Sequence, residues 1–335
     1  MDKIPGMAYY AKAAEILGDQ GDGNDLVHAQ MFLLAGLYKG QLARVKESMS
    51  WFTMAGRACR FLLDRYNLVV RPGDDIKGKT GKSRFDSLRD LVKDRRHHLI
   101  VLASWTVTQL ESDILAELKV PSSGMQDLEN QIPLPTSVTE EETYDAFEPL
   151  DMNDPGSINN IMKYYTAQMF LRRALNTVHK EMYGNVASDT PGSLKQVQNM
   201  LRQHDLDLTG WRNMLPIDLK WNDNDMPAND ILAARLRAKY WGARYVINRP
   251  FLDYALHIMT HVKEGRSVKS IALDAYNKPR GKDDVVLFEA IEGMGEAAVW
   301  DAAKRCIEAA LQSTVALDGV PGRLIVTNIH GTAHA

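Results

Sequence analysis

Several groups of residues have types and spacings that could support chemistry. Gly73-Asp74-Asp75-Ile76-Lys77-Gly78-Lys79-Thr80 satisfies the phosphate-loop pattern, in which backbone amides and Lys79 would surround phosphate and Thr80 would hold magnesium. Asp74 and Asp75, however, place negative charge where the phosphates must sit. Only Leu68-Val69-Val70 could serve as the preceding strand, and no strand–helix alternation supplies a parallel sheet. The stretch reads as a charged loop. His257 and His261 have the four-residue spacing of a helical zinc pair, but Ile258 stands where zinc hydrolases carry glutamate, and no third ligand is evident. They read as a partly buried histidine pair. His97-His98, beside Arg95-Arg96, read as a polar helix end. Asp223, Asp225, Asp283 and Asp284 invite comparison with metal-binding carboxylates of helical prenyl-chemistry enzymes. Such sites need convergence on one cavity, whereas Asp223 and Asp225 sit in a Trp-Pro loop and Asp283-Asp284 resemble a helix start.

The basic residues Arg172, Arg173, Arg235, Arg237, Lys239, Arg244 and Arg249 are partly interleaved with Tyr240, Trp241 and Tyr245, a mixture that could stack on nucleic acid. At helical spacing the aromatics are expected in the core, with the arginines bridging to acidic neighbours. No paired acid and base or activated nucleophile emerges. No catalytic, cofactor-binding or metal-ligating residue is therefore assigned, and the chain is not expected to be an enzyme.

The elements that would position these residues are helical. Apolar residues recur at three and four with almost no strand-like alternation, so the expected fold is all-α, an irregular bundle of antiparallel helical hairpins. No fixed repeat points to a solenoid. Met31, Leu34, Ala35 and Tyr38 are expected on the inner face of an early helix, with Asn24 and Asp25 as its caps. Leu42, Val45, Met49, Phe52, Ala55 and Cys59 mark the next. After a glycine-rich break at Asn67–Ser83, helix is expected from Phe85 to about Leu118, with Leu99, Leu102, Trp105 and Ile114 inward. Pro121, Pro133 and Pro135 prevent its continuation, and an acidic linker, 137–154, follows. Asp154-Pro155 and Thr190-Pro191 start further helices, and Gly184 closes the first of them. Pro227 opens a Tyr- and Arg-rich helix that Pro250 should end or kink at Arg249. Lys263–Lys282 reads as a surface loop. A last long pattern runs from Asp283 to Leu317, weakened by Gly293 and Gly295. After Pro321, Leu324, Ile325, Ile329 and Ala333 begin another amphipathic pattern without a cap, so the domain is expected to be incomplete at its C-terminus.

Composition sets the remaining bounds. With 335 residues, 45% of them hydrophobic and 25% charged, the chain can bury a sizeable core as one large domain or two smaller ones. A net charge of -3 and a pI near 6.3 argue against a domain-wide nucleic-acid footprint. The start, MDKIPGMAYY, has no apolar core of signal-peptide length, and no apolar run approaches a membrane span. Cys59 and Cys306 are too far apart in sequence for a disulfide framework, which fits a reducing compartment.

LESDILAELKVPSSGMQDLENQIPLP (Leu110–Pro135) resembles the helix-loop signature of the fungal-specific transcription factor domain, the regulatory part of six-cysteine zinc-cluster regulators. The resemblance extends in order through YYAKAAEILG (Tyr9–Gly18), His28–Phe52, Thr166–Tyr183, ARLRAKYWGARYVINRPFLDYAL (Ala234–Leu256) and Cys306–Ala335. Ser104 stands before Trp105 where the family commonly has an aromatic residue, so packing there is expected to differ. The resemblance implies a transcription regulator acting in the nucleus, with a zinc-cluster DNA-binding module or partner factor, the transcription machinery and a homodimer as its partners. Two cysteines cannot build the six-thiolate cluster, so no sequence-specific DNA contact and no bound zinc are expected of this chain itself. The family has no fixed ligand motif, and none is transferred. A different reading is an all-helical small-molecule receptor or interaction scaffold unconnected to transcription. Within the linker, acidic Glu140, Glu141, Glu142, Asp145, Glu148 and Asp151 are interleaved with Tyr144, Phe147, Leu150 and Met152. That composition suits a solvated linker first, and a coactivator-contacting segment second.

Overall fold

The computed structural model describes residues 4–71, 88, 90–118, 120–135, 155–183, 194–272 and 282–320. The phosphate-loop match, the acidic linker, Asp154, Gly184, Thr190-Pro191 and the pattern after Pro321 lie outside them. Among the described residues there are eleven α-helices and no strand, the all-α architecture that the three-four periodicity requires. They are α1 (Met7–Gly18), α2 (Leu26–Gln41), α3 (Val45–Arg65), α4 (Arg95–Leu115), α5 (Pro155–Val178), α6 (Leu194–Met214), α7 (Ile231–His257), α8 (Met259–Lys263), α9 (Val268–Ala272), α10 (Lys282–Glu292) and α11 (Glu296–Val315). The chain divides into two compact units, with the boundary between Met169 and Phe170.

Unit 1 is organised by the hairpin of α2 and α3, against which α4 packs. Ala43, at φ 56°, closes α2 by giving its amide to Gly40, while Arg44 gives its own to Lys39. Asn67 (φ 51°) ends α3 in the same left-handed region, which asparagine tolerates better than most residues. The hairpin is tight: a Cβ on Gly36 would lie 2.4 Å from Phe52 Cε1, and Ser48 Oγ donates to the Gly36 carbonyl at 2.7 Å. The inner face of α2 is Phe32, Leu33, Ala35 and Gly36. Leu34, expected inward, is 67% exposed, so the face is turned by one position from the expected one. Asp25 occupies the N-cap with an extended backbone, but its carboxylate makes no capping bond and lies 3.9 Å from Arg96.

Helix α4 is buried on nearly every side, including Ile100, Val101, Trp105, Val107 and Ile114, while Leu99 and Leu102 are only half-buried. The helix expected from Phe85 to about Leu118 is interrupted at Val92–Asp94. Asp94 restarts it by accepting the His97 amide at 3.1 Å, a capping geometry that a charge-rich stretch concealed.

Unit 2 is built on α7, with α11 as its principal neighbour and α6 and α10 packed beside it. Both α7 and α11 bury small residues, among them Ala234, Ala238, Gly242, Ala302, Cys306 and Ala309, so the backbones come close; Cys306 Sγ lies 3.7 Å from the Tyr245 carbonyl. Asp230, not Pro227, caps α7 through the Ala233 amide at 2.9 Å. Gly295, at φ 89°, breaks the last pattern into α10 and α11 rather than merely weakening it. Within the expected loop at Lys263–Lys282, α9 buries Val268, Ile271 and Ala272.

Pro250 does not end α7 at Arg249; the helix continues to His257. Proline lacks the amide that would serve the carbonyl four residues earlier, here Val246. Tyr183 supplies the missing donor, its hydroxyl reaching the Val246 carbonyl at 2.6 Å. A π-helical turn over His179–Tyr183, continuing α5, brings that side chain into place. Burial, opposed by Arg249, pushes the Tyr183 hydroxyl up to about 12, so it remains a neutral donor. Tyr183→Phe is expected to cost about 1–3 kcal/mol, the price of an unsatisfied buried carbonyl. In a Pro250→Ala background the new amide can reach Val246, and the penalty should fall well below that. A double-mutant cycle by urea unfolding checks this; two independent penalties would show that the two residues do not compensate each other.

Candidate functional site

The signature stretch Leu110–Pro135 is the end of α4 followed by a chain that returns along the same helix. Glu111, fully buried in the last turns of α4, receives the Ser123 hydroxyl at 2.5 Å on Oε2 and the Ser123 amide at 3.2 Å on Oε1. Thr53 of α3 stands 3.4 Å from Oε1 and also donates to Met49 at 3.0 Å. Gln126 Nε2 donates to Ser112 Oγ at 2.7 Å, and Trp105, two turns earlier on the helix, donates through Nε1 to the Pro133 carbonyl at 2.9 Å. Contacts at positions 111, then 105, by residues 123, then 133, fix the direction of return. Gly56 leaves room for Ser123, since a Cβ there would sit 2.3 Å from Ser123 Oγ. Ser104, before Trp105, is buried and turns its hydroxyl to the Ile100 carbonyl at 2.8 Å. Burial pushes the Glu111 carboxyl above its ordinary range, against the lowering effect of its Ser123 and Thr53 hydrogen bonds. Burial also pushes the Cys59 thiol up to about 12, which leaves it unreactive as a nucleophile.

In unit 2 the aromatic part of the basic helix is core: Tyr240 and Trp241 are buried, and Tyr240 stacks on Trp211 at 5.9 Å. Three arginines of this region lie against aromatic rings. The guanidiniums of Arg212, Arg237 and Arg244 lie over Trp221, Tyr240 and Trp241 at 4.7 to 6.0 Å, a cation–π cluster. Arg212 also pairs with Asp223 at 2.5 Å and donates to the Trp221 carbonyl at 2.9 Å. Arg249 lies over the Tyr183 ring at 4.7 Å, Arg173 over Phe170 at 6.0 Å, and Arg172 donates to Asn176 at 3.0 Å. Trp211, Arg212 and Trp221 were not singled out by sequence, because they come from α6 and the following loop, distant from the helix they serve.

The remaining candidates disperse. His257 and His261 are separated by a helix break at Ile258 and face different carboxylates, Asp253 at 3.9 Å and Glu264 at 3.2 Å; His257 is exposed and His261 half-buried. Asp225 holds the Asn222 amide at 2.8 Å, and Asp283-Asp284 fall in the first turn of α10. Among the described residues, no group of three or more His, Cys, Asp or Glu side chains is placed to hold a metal ion. No helix among them is long and apolar enough to cross a membrane.

Unit 2 does contain a small half-open cleft of about 90 Å³, formed by α5, α6 and α7. Leu171, Ala174, Leu175, Val178, Leu208, Ala243 and Ile247 line it, with Thr177, His204 and Asp207 as its polar edge. His204 is buried; its Nε2 lies 3.1 Å from Glu181 Oε2, without the alignment of a hydrogen bond. Burial lowers the pKa of its ring, while Glu181 and Asp207 raise it. The cleft thus joins an aliphatic floor to a polar edge.

No protein-family model matches the chain, and no curated protein and no solved structure is significantly similar to it.

Proposed function

We propose that this chain is the regulatory part of a transcription regulator of the fungal zinc-cluster type. It would act in the nucleus with a zinc-cluster module, borne by adjoining sequence or by a partner factor, and control when that module activates its targets. The observation that carries this reading is the order of motifs from Tyr9 to the C-terminus, centred on the Leu110–Pro135 signature. The helical fold suits it, because a packed bundle offers surfaces for transcription machinery and for a second copy. The Glu111–Ser123 and Trp105–Pro133 bonds give the signature a structural purpose, holding the returning chain on α4.

Fusion of the chain to an unrelated DNA-binding module tests the reading. A several-fold change in reporter output, up or down, relative to the bare module is expected. Output equal to that of the bare module, with the fusion expressed and folded, would refute it. A second reading, an all-helical small-molecule receptor not itself concerned with transcription, is favoured by the apolar cleft of unit 2. Ligand binding without any effect on the reporter would select it.

A further inference from the structure

Helix α11 turns its larger apolar residues away from the core. The face it packs on α7 is built from Val299, Ala302, Ala303, Cys306, Ala309 and Ser313, nearly all of them small. Trp300, Ile307, Leu311 and Val315 are instead 40–63% exposed. They are not scattered. At about 100° per residue, Ile307, Trp300, Leu311, Lys304 and Val315 fall within roughly 80° of one another around the helix, a single stripe along most of its length. Exposed apolar residues standing singly need no explanation, but a contiguous stripe marks a surface that meets another chain.

The charges on and beside the stripe say which chain fits. Lys304 interrupts the apolar residues, and Asp301 and Glu308 border one edge. All three are exposed, and among the described residues none of them makes an ion pair. A purely apolar partner would cover the Lys304 ammonium without offering an acceptor, and an acidic partner would be repelled by Asp301 and Glu308. A second copy of the same helix, running antiparallel, meets both demands. With the two-fold axis level with residues 305 and 306, Trp300 lies opposite Leu311 of the other copy, and Ile307 packs on the aliphatic stem of Lys304. The Lys304 ammonium then comes level with Glu308 across the interface, on both sides of the axis.

We propose that the outer face of α11 is a self-association surface, through which two copies of the chain pair as an antiparallel helix dimer. The apolar stripe supplies the attraction, and the reciprocal Lys304–Glu308 pairs fix the register. The inference stands on this face and not on the transcriptional reading; a failed reporter assay leaves it untouched, and a monomeric chain leaves the reporter result standing.

Sedimentation equilibrium on the full chain decides it. One pair of helices falls short of the roughly 1,200–2,000 Å² buried in stable complexes, so a monomer–dimer equilibrium with a dissociation constant on the order of 10 μM is expected. Leu311→Asp should raise that constant about tenfold or more, because it sets a charge against the Trp300 ring of the other copy. The leucine is exposed in the single chain, so the substitution leaves the fold intact, which circular dichroism and the urea midpoint verify. Lys304→Glu and Glu308→Lys should each weaken the dimer by about three- to tenfold, since each puts like charges across both reciprocal pairs. The double variant Lys304→Glu/Glu308→Lys restores opposite charges across the two-fold and should recover most of the natural affinity. A chain that stays monomeric at about 200 μM, well above the expected constant, would overturn the proposal. So would a dimer indifferent to Leu311→Asp, or a double variant as weak as the single ones.

Discussion

Replacing Trp105 by alanine is expected to destabilise unit 1 by about 3–5 kcal/mol, the range for removing a large aromatic side chain from a packed core. The indole is 1% exposed on a helix that is itself buried on most sides, so no neighbour can relax into the void without disturbing another contact. The substitution also strands the Pro133 carbonyl, which receives the indole Nε1 at 2.9 Å. Trp105→Phe separates the two contributions: it keeps most of the apolar volume and loses the hydrogen bond, so about 1–2 kcal/mol of destabilisation should remain. Urea unfolding of both variants measures this. Protease cleavage in the 120–135 segment should rise more for either variant than cleavage elsewhere, because this bond ties that segment to α4. A loss for Trp105→Ala below about 1 kcal/mol would mean that the residue is not the anchor described.

The helices, their all-α class and the burial of Trp105, Ile114, Tyr240 and Trp241 were legible in the sequence, because three-four periodicity and aromatic placement are local properties. What was not legible had a non-local cause. The rule that proline ends a helix failed at Pro250 because Tyr183 serves the abandoned carbonyl of Val246, sixty-three residues after it. Arg237 lies over the Trp221 ring, which no local pattern foretells because Trp211, Arg212 and Trp221 arrive from another helix and its loop. Leu34 was expected inward because a heptad-like count places it there, yet the close approach at Gly36 rotates the hairpin contact onto Phe32, Leu33 and Ala35. The unit 2 cleft left no linear signature at all, since its lining is ordinary aliphatic residues at core spacing on three helices. The signature segment shows the opposite case. Its prolines marked the end of the helix, and Glu111, which the sequence did not single out, is the group that receives the returning chain.

Glu111→Ala is therefore expected to be costly, and Glu111→Gln is expected not to be. Alanine would leave the Ser123 amide and hydroxyl without their acceptor and open a void beside Met125, destabilising unit 1 by about 2–4 kcal/mol. Glutamine keeps the shape and an acceptor oxygen while removing a buried charge. The sign of the pH dependence follows from the raised pKa of this carboxyl, caused first by burial. A carboxyl that holds its proton more tightly in the folded than in the unfolded chain contributes stability below the unfolded pKa and loses it as pH rises through the folded one. Glu111 should thus contribute a decline in stability as pH rises from about 4.5, its ordinary value, toward neutrality. Glu111→Gln cannot ionise and should lack that component, so its stability relative to the natural chain should improve between acid and neutral pH. Unfolding midpoints in urea from pH 4 to pH 8 for the natural chain, Glu111→Gln and Glu111→Ala test all three expectations together. A glutamine variant whose stability falls with pH as steeply as the natural chain's would show that the buried carboxyl is not the source. An alanine variant as stable as the glutamine one would show that Ser123 does not depend on it.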